Sequence, residues 1–113
     1  MGLFDRFTRA KFDAHTISPE EAKRRMDTES VVVLDVREPA EYQEGHVPGA
    51  ALLPLGDVRA MAPGLLPDRD VPILVYCHSG ARSATACGIL QKLGYTQVYN
   101  FGGITQWPYE IEG

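Results

Sequence analysis

Cysteine is scarce in this sequence of 113 residues, which contains only Cys77 and Cys87. Two cysteines can form neither a disulfide framework nor a four-ligand zinc site, and the three histidines add no metal-ligand spacing. We therefore expect no bound metal. We also expect a reducing, cytoplasmic location, where an isolated cysteine is more often catalytic or inert than bridged.

Long apolar runs and an excess of positive charge are also missing. No run approaches the roughly 20 apolar residues of a membrane span, and residues 1–5 lack the long apolar stretch of a secretory signal. The net charge of −4 argues against a general nucleic-acid-binding surface. The remaining composition, 44% apolar and 23% charged, is typical of one globular domain.

Residues 1–14 differ in composition from residues 15–113, which we assign to a single domain. Three of the four phenylalanines lie in this first segment, interleaved with basic residues. Leu3, Phe4 and Phe7 share one face at helical spacing. This pattern favours a short terminal helix that packs on the domain or frays. The alternative is a segment that docks on a membrane surface or a partner.

Apolar and β-branched runs without alternation predict strands buried on both faces, as in a parallel sheet. The predicted strands cover residues 31–36, 71–76 and 97–101, with a short edge strand at 51–53. The predicted helices run from a Ser18 cap to about residue 27, over 55–62 and over 83–93, with a helical turn after Pro39. Alternation of strands and helices predicts an α/β fold with a mostly parallel sheet.

The strand that ends at Cys77 leads through a short loop into a helix near Ser83. Ligands of open α/β sheets bind beyond such strand ends. A loop containing Gly80 can turn its N–H groups inward beside a helix N-terminus, which makes an anion-binding nest. This setting lowers the pKa of a cysteine, and Arg82 adds a positive charge. We predict a nucleophilic Cys77; a structural cysteine in a tight turn is the alternative.

Three segments carry a resemblance to a known family. They are residues 34–42 (LDVREPAEY) with 45–50 (GHVPGA), the loop 77–82 (CHSGAR), and Gly102-Gly103 followed by Trp107. In this order and spacing they resemble the rhodanese-like family of sulfurtransferases, over residues 17–109. The resemblance implies a mostly parallel five-stranded sheet with helices on both faces.

The resemblance also implies that Cys77 is catalytic and carries a persulfide, with no cofactor. The sulfur would come from a small donor such as thiosulfate and pass to cyanide or a thiol, including that of a partner protein. The residues implied to form the cradle around this sulfur are His78, Ser79, Gly80, Ala81, Arg82 and Ser83. Asp35, Arg37 and His46 are implied to support the fold around the loop.

Other functions and roles stay open at this point. A sulfur-carrier module loaded by partner proteins is one alternative. Arsenate reductases and cysteine phosphatases are disfavoured because their loops hold five residues where four separate Cys77 from Arg82. Arg82 is expected either to attract an anionic donor or to hold the loop through backbone carbonyls. Cys87 is expected to be a half-buried packing residue, with a resolving cysteine as the alternative, and His78 to lie at the rim rather than act as a base.

Overall fold

Four parallel strands form one sheet within residues 16–113, the part of the chain that the structure, a computed structural model, describes. The strands are β1 (Val32–Asp35), β2 (Ala51–Leu52), β3 (Ile73–Cys77) and β4 (Val98–Gly103), in the order β2-β1-β3-β4. Every neighbouring pair is parallel. The α/β fold with a parallel sheet is therefore confirmed.

The expected fifth strand does not form within residues 16–113. Thr16 pairs with Asn100 beside β4, but only through a single parallel bridge. The chain leaves the sheet at once, because Ser18 starts a helix two residues later and accepts a hydrogen bond from the Glu21 N–H at 3.0 Å. The helix or docking segment predicted for residues 1–14 lies outside the described residues.

Four α-helices and one short 3₁₀ helix occur between and after the strands of residues 16–113. They are α1 (Pro19–Thr28), α2 (Pro39–Glu44), α3 (Leu55–Leu65), α4 (Ala81–Lys92) and the 3₁₀ helix Ile104–Gln106. A capping box between Glu38 and Glu41 starts α2, as the proline-led sequence favours. No helix in this range combines the length and hydropathy that crossing a membrane would require.

Two helix boundaries differ from the predictions. The end of α3 at Ala62 is wrong: the helix continues through Pro63 to Leu65. A proline in the last turn removes only one intrahelical hydrogen bond, and the Leu66 N–H still donates to Ala62 at 2.7 Å. The predicted start of α4 near Ser83 is also wrong. Gly80 takes a left-handed conformation, with φ of 106°, and α4 begins directly after it at Ala81.

Helices cover both faces of the sheet, as expected. On one face, α3 and α4 bury a cluster that includes Ile73, Val75 and Cys77 of β3. On the other face, α1 and the segment after β4 bury a cluster that includes Leu74 and Tyr76. Successive β3 side chains thus point to opposite faces, and all five of its residues are buried. The firmly packed β3 delivers Cys77 to the carboxyl end of the sheet.

Candidate active site

The loop after β3 folds back over the sulfur of Cys77. The side chain of Cys77 is buried, with 1% of the residue exposed. Its Sγ accepts hydrogen bonds from the Gly80 N–H at 3.0 Å and the Ser83 N–H at 3.3 Å. The Ser83 Oγ lies 3.4 Å from the same sulfur. These donors form a nest at the N-terminus of α4, which suits an anionic sulfur.

Two opposing effects act on the acidity of Cys77. Burial acts to raise its pKa, because a charged thiolate loses its water. Hydrogen bonds from Ser83, Gly80 and Ser79 favour the thiolate and outweigh this effect, so the pKa of Cys77 is lowered. A lowered pKa increases the fraction of thiolate, which is the nucleophilic form of cysteine.

The end of β4 packs directly against this loop. A Cβ atom on Gly103 would overlap the carbonyl oxygen of His78 and lie 2.5 Å from the Cα of Ser79. Only glycine therefore permits this close approach of two backbones. Beyond it, Thr105 donates to the His78 carbonyl through its N–H at 3.4 Å and its hydroxyl at 3.3 Å. The Gly102-Gly103 motif thus lets the end of β4 pack against the loop and support it.

Asn100, which the sequence analysis did not single out, joins the loop to β4. Its Oδ1 accepts from the Ser83 hydroxyl at 2.8 Å and from the Gly102 N–H at 2.9 Å. Its Nδ2 donates to the Gly80 carbonyl at 3.3 Å. The only signal in the sequence was an amide side chain within an otherwise apolar strand. Asn100 therefore contacts both a cradle residue and the residue that caps α4.

Arg82 lies in the first turn of α4, not before the helix as predicted. Its guanidinium makes two hydrogen bonds to the Glu41 carboxylate of α2, at 2.8 and 3.0 Å. These bonds hold the pKa of Glu41 at about 2, well below its usual range. The sequence analysis included Glu41 in the segment 34–42 but assigned it no role. The carboxylate, rather than backbone carbonyls, is the anchor that the structure gives Arg82.

The exposed side chains of the loop point outward while its N–H groups point inward. His78, Ser79 and Ala81 are exposed at the rim, and Ser83 is fully buried. The contacts described for His78 involve its backbone carbonyl. This geometry favours a rim position over a general-base role for His78.

Asp35 and Arg37 form a buried ion pair at 2.7 Å. The Arg37 guanidinium also donates to the Gly45 carbonyl at 2.8 Å, and the Tyr76 hydroxyl donates to Asp35 at 2.6 Å. The same hydroxyl accepts from the Val47 N–H at 3.0 Å. These contacts join β1, β3 and the turn after α2, on the face of the sheet opposite to the Cys77 side chain.

His46 stabilises the turn after α2. Its ring stacks on Tyr42 with centroids 3.7 Å apart, and its Nδ1 lies 2.9 Å from the Tyr42 carbonyl oxygen. Its Nε2 lies 3.8 Å from a carboxylate oxygen of Glu112. This arrangement, like that of Asp35 and Arg37, fits a supporting role.

Cys87 lies on α4 in the same apolar cluster as Cys77. It is more buried than the half-buried position we expected, with 4% of the residue exposed. Burial and the nearby charge of Cys77 raise its pKa to about 12. Both cysteines are free thiols. Cys87 is thus protonated near neutral pH, which fits a packing residue better than a resolving thiol.

Comparison with known proteins identifies the family of this chain. Residues 18–109 match the family model of the rhodanese-like domain. The chain belongs to the rhodanese-like domain family. Within residues 16–113, this rhodanese contains no cluster of three or more His, Cys, Asp or Glu side chains suited to a metal ion.

Several relatives of this chain are named as sulfurtransferases. It is 42% identical over 87 residues to a sulfurtransferase of Allochromatium vinosum, covering 76% of this chain and 79% of that one. It is also 42% identical over 71 residues to the thiosulfate sulfurtransferase PspE of Escherichia coli, covering 63% and 68%. A solved structure titled rhodanese with anions, from E. coli, superposes with a TM-score of 0.69 at 36% identity, covering 74% and 98%. The chain is a rhodanese-type sulfurtransferase.

Proposed function

We propose that this sulfurtransferase carries sulfane sulfur on Cys77, taking it from thiosulfate and passing it to cyanide or a thiol. The observation that supports this most directly is the convergence of the Gly80 and Ser83 N–H groups on one sulfur atom. The name of the E. coli relative, a thiosulfate sulfurtransferase, supports the donor.

The first half-reaction forms a persulfide. The Cys77 thiolate attacks the outer sulfur of thiosulfate, and a new S–S bond forms to Sγ. The sulfur–sulfur bond of thiosulfate breaks, and sulfite leaves with its electron pair. This is covalent catalysis by an activated nucleophile. The persulfide anion then sits among the inward N–H groups, which act as fixed electrostatic stabilisers.

The second half-reaction returns Cys77 to a thiolate. The acceptor attacks the outer persulfide sulfur, and the bond between that sulfur and Sγ breaks with its electron pair on Cys77. Cyanide yields thiocyanate, and a thiolate yields a new persulfide. No cofactor or metal enters this scheme. A free thiol at the centre of the cycle suits a reducing compartment, and we propose that the protein acts in the cytoplasm.

The main alternative is a sulfur carrier that partner proteins load and unload through their own thiols. We favour the small-molecule enzyme because a relative 42% identical to this chain is named a thiosulfate sulfurtransferase. A protein thiol remains within the proposed class of acceptors, because an exposed rim also admits a partner.

Intact-mass measurement after thiosulfate treatment tests the proposal. We expect a gain of one sulfur atom that is lost on adding cyanide, and no gain in a Cys77→Ser variant. Steady-state thiocyanate production should show many turnovers per protein molecule. A single stoichiometric loading without turnover would favour the carrier, and mass gain in the Cys77→Ser variant would overturn the assignment of Cys77.

A further inference from the structure

The Ser83 hydroxyl has one hydrogen and four acceptors around it. The acceptors are Asn100 Oδ1 at 2.8 Å, the Gly80 carbonyl at 3.1 Å, Cys77 Sγ at 3.4 Å and the Gly102 carbonyl at 3.5 Å. Because a hydroxyl donates only once, these acceptors compete. Asn100 offers the shortest contact, and Ser83 is fully buried, so no bulk water relieves the competition.

The orientation of the Asn100 amide follows from its neighbours. The Gly102 N–H faces Oδ1 at 2.9 Å, and the Gly80 carbonyl faces Nδ2 at 3.3 Å. A flipped amide would place donor against donor and acceptor against acceptor. The atom that Asn100 presents to Ser83 is therefore an acceptor.

We propose that Asn100 is a positioning residue for the Ser83 hydroxyl. While Cys77 is a thiol, the hydroxyl donates its hydrogen bond to Asn100 Oδ1; when the thiolate forms, the hydroxyl donates to the Cys77 sulfur instead. A thiolate is a stronger acceptor than a neutral amide, so the hydroxyl turns toward it. Asn100 Oδ1 keeps its bond from the Gly102 N–H and is not left unsatisfied. Because the hydroxyl must give up its bond to Asn100, it stabilises the thiolate less than it would if Asn100 offered no acceptor.

This inference rests on the proposed function only in that the Cys77 thiolate is the reacting species. Within residues 16–113, Arg82 and the buried Cys87 thiol interact electrostatically with Cys77. Arg82 is already paired with Glu41. Neither Arg82 nor Cys87 is changed in the variants below.

Alkylation of the folded protein by iodoacetamide tests the inference. The reaction is run at a pH below the thiol pKa, and mass spectrometry of the peptide that contains Cys77 gives its rate. Under these conditions the rate follows the thiolate fraction. We expect Ser83→Ala to lower the rate several-fold. Asn100→Leu removes the nearest of the acceptors that compete with the sulfur, and we expect it to raise the rate about threefold, the effect of part of one hydrogen bond. In the Ser83→Ala background, Asn100→Leu should change nothing. Thr85→Val, which removes an exposed hydroxyl from the same helix, is the control.

Two results would overturn the inference. One is a lower rate in Asn100→Leu. The other is an equal effect of Asn100→Leu with and without the Ser83 hydroxyl, which would mean that Asn100 acts only by supporting Gly80. If Asn100→Leu does not fold, Asn100→Asp replaces it. The carboxylate should then lower the rate more when Ser83 is present than in Ser83→Ala, and equal losses would be a charge effect that overturns the inference. Alkylation does not require sulfur transfer, so failure of the persulfide mass gain is read separately.

Discussion

Cys77 and Cys87 are buried in the same apolar cluster on one face of the sheet, yet their thiols differ in acidity in opposite directions. Burial acts to raise the pKa of both thiols, but hydrogen bonds outweigh it at Cys77. Cys77 is the last residue of β3 and accepts hydrogen bonds from loop N–H groups, whereas Cys87 lies within α4, where backbone N–H groups bond to the preceding turn. The difference teaches that burial alone raises the pKa of a thiol, and that backbone N–H groups directed at the sulfur lower it.

Replacing the two cysteines one at a time should give the largest difference in sulfur-transfer activity. We expect Cys77→Ser to lower sulfur transfer from thiosulfate to cyanide by at least about 1,000-fold, because the nucleophile is lost. Cys87→Ser should keep most of the activity. Thiocyanate formation by the purified variants measures both. A persulfide that loads normally in Cys87→Ser but no longer turns over would contradict the packing role of Cys87.

Glycines beside the two cysteines should respond in opposite ways to an added methyl group. Gly103→Ala should destabilise the fold by about 2 kcal/mol or more and impair transfer, because the new Cβ meets the backbone of His78 and Ser79. Gly88→Ala, the matched control next to Cys87, finds open space within α4. It should stabilise the protein by about 0.5–1 kcal/mol. Denaturant unfolding measures both, and an unchanged Gly103→Ala would contradict the packing of β4 on the loop.

Alkaline pH should reveal the raised pKa of Cys87. The unfolded thiol loses its proton near pH 9.0, whereas the folded one keeps it until about pH 12. Above pH 9.0 the native state therefore binds more protons, and the free energy of unfolding falls as the pH rises. Cys87→Ala should lose this part of the decline. Urea unfolding at pH 8 and pH 10 tests this, and parallel declines in both proteins would contradict it.

Arg82→Lys should give the smallest effect. Lysine keeps the positive charge but cannot reproduce the two-pronged contact with Glu41. The pair is partly exposed, so its loss should cost less than about 1 kcal/mol of stability. We expect the KM for thiosulfate to rise about threefold with kcat changed less, and the effect to shrink at high salt. Arg59→Lys on the exposed face of α3 is the control. An unchanged KM with an unchanged alkylation profile of Cys77 would exclude both donor attraction and support of the loop as roles of Arg82.

Local patterns in the sequence were sufficient for most of the fold. The β-branched runs located β1, β3 and β4, and the Ser18 cap located α1, because these signals act over neighbouring residues. The boundaries at Pro63 and Ala81 were wrong, since they depend on how much of a last turn survives a proline and on the left-handed conformation of Gly80. The resemblance implied a five-stranded sheet, whereas residues 16–113 contain four strands and the single bridge between Thr16 and Asn100.

The sequence by itself was enough to predict Cys77 as the nucleophile, because a cysteine at a strand end, a four-residue loop and a helix start are adjacent along the chain. Only the tertiary structure decided which distant residues contact the Cys77 loop. Asn100 reaches Ser83 across 17 positions, and Glu41 reaches Arg82 across 41. Hydrogen bonds and burial of this kind depend on how β4 and α2 pack against the loop. Such contacts leave no periodic pattern in the sequence, so the distant groups around the Cys77 loop could not be predicted from it.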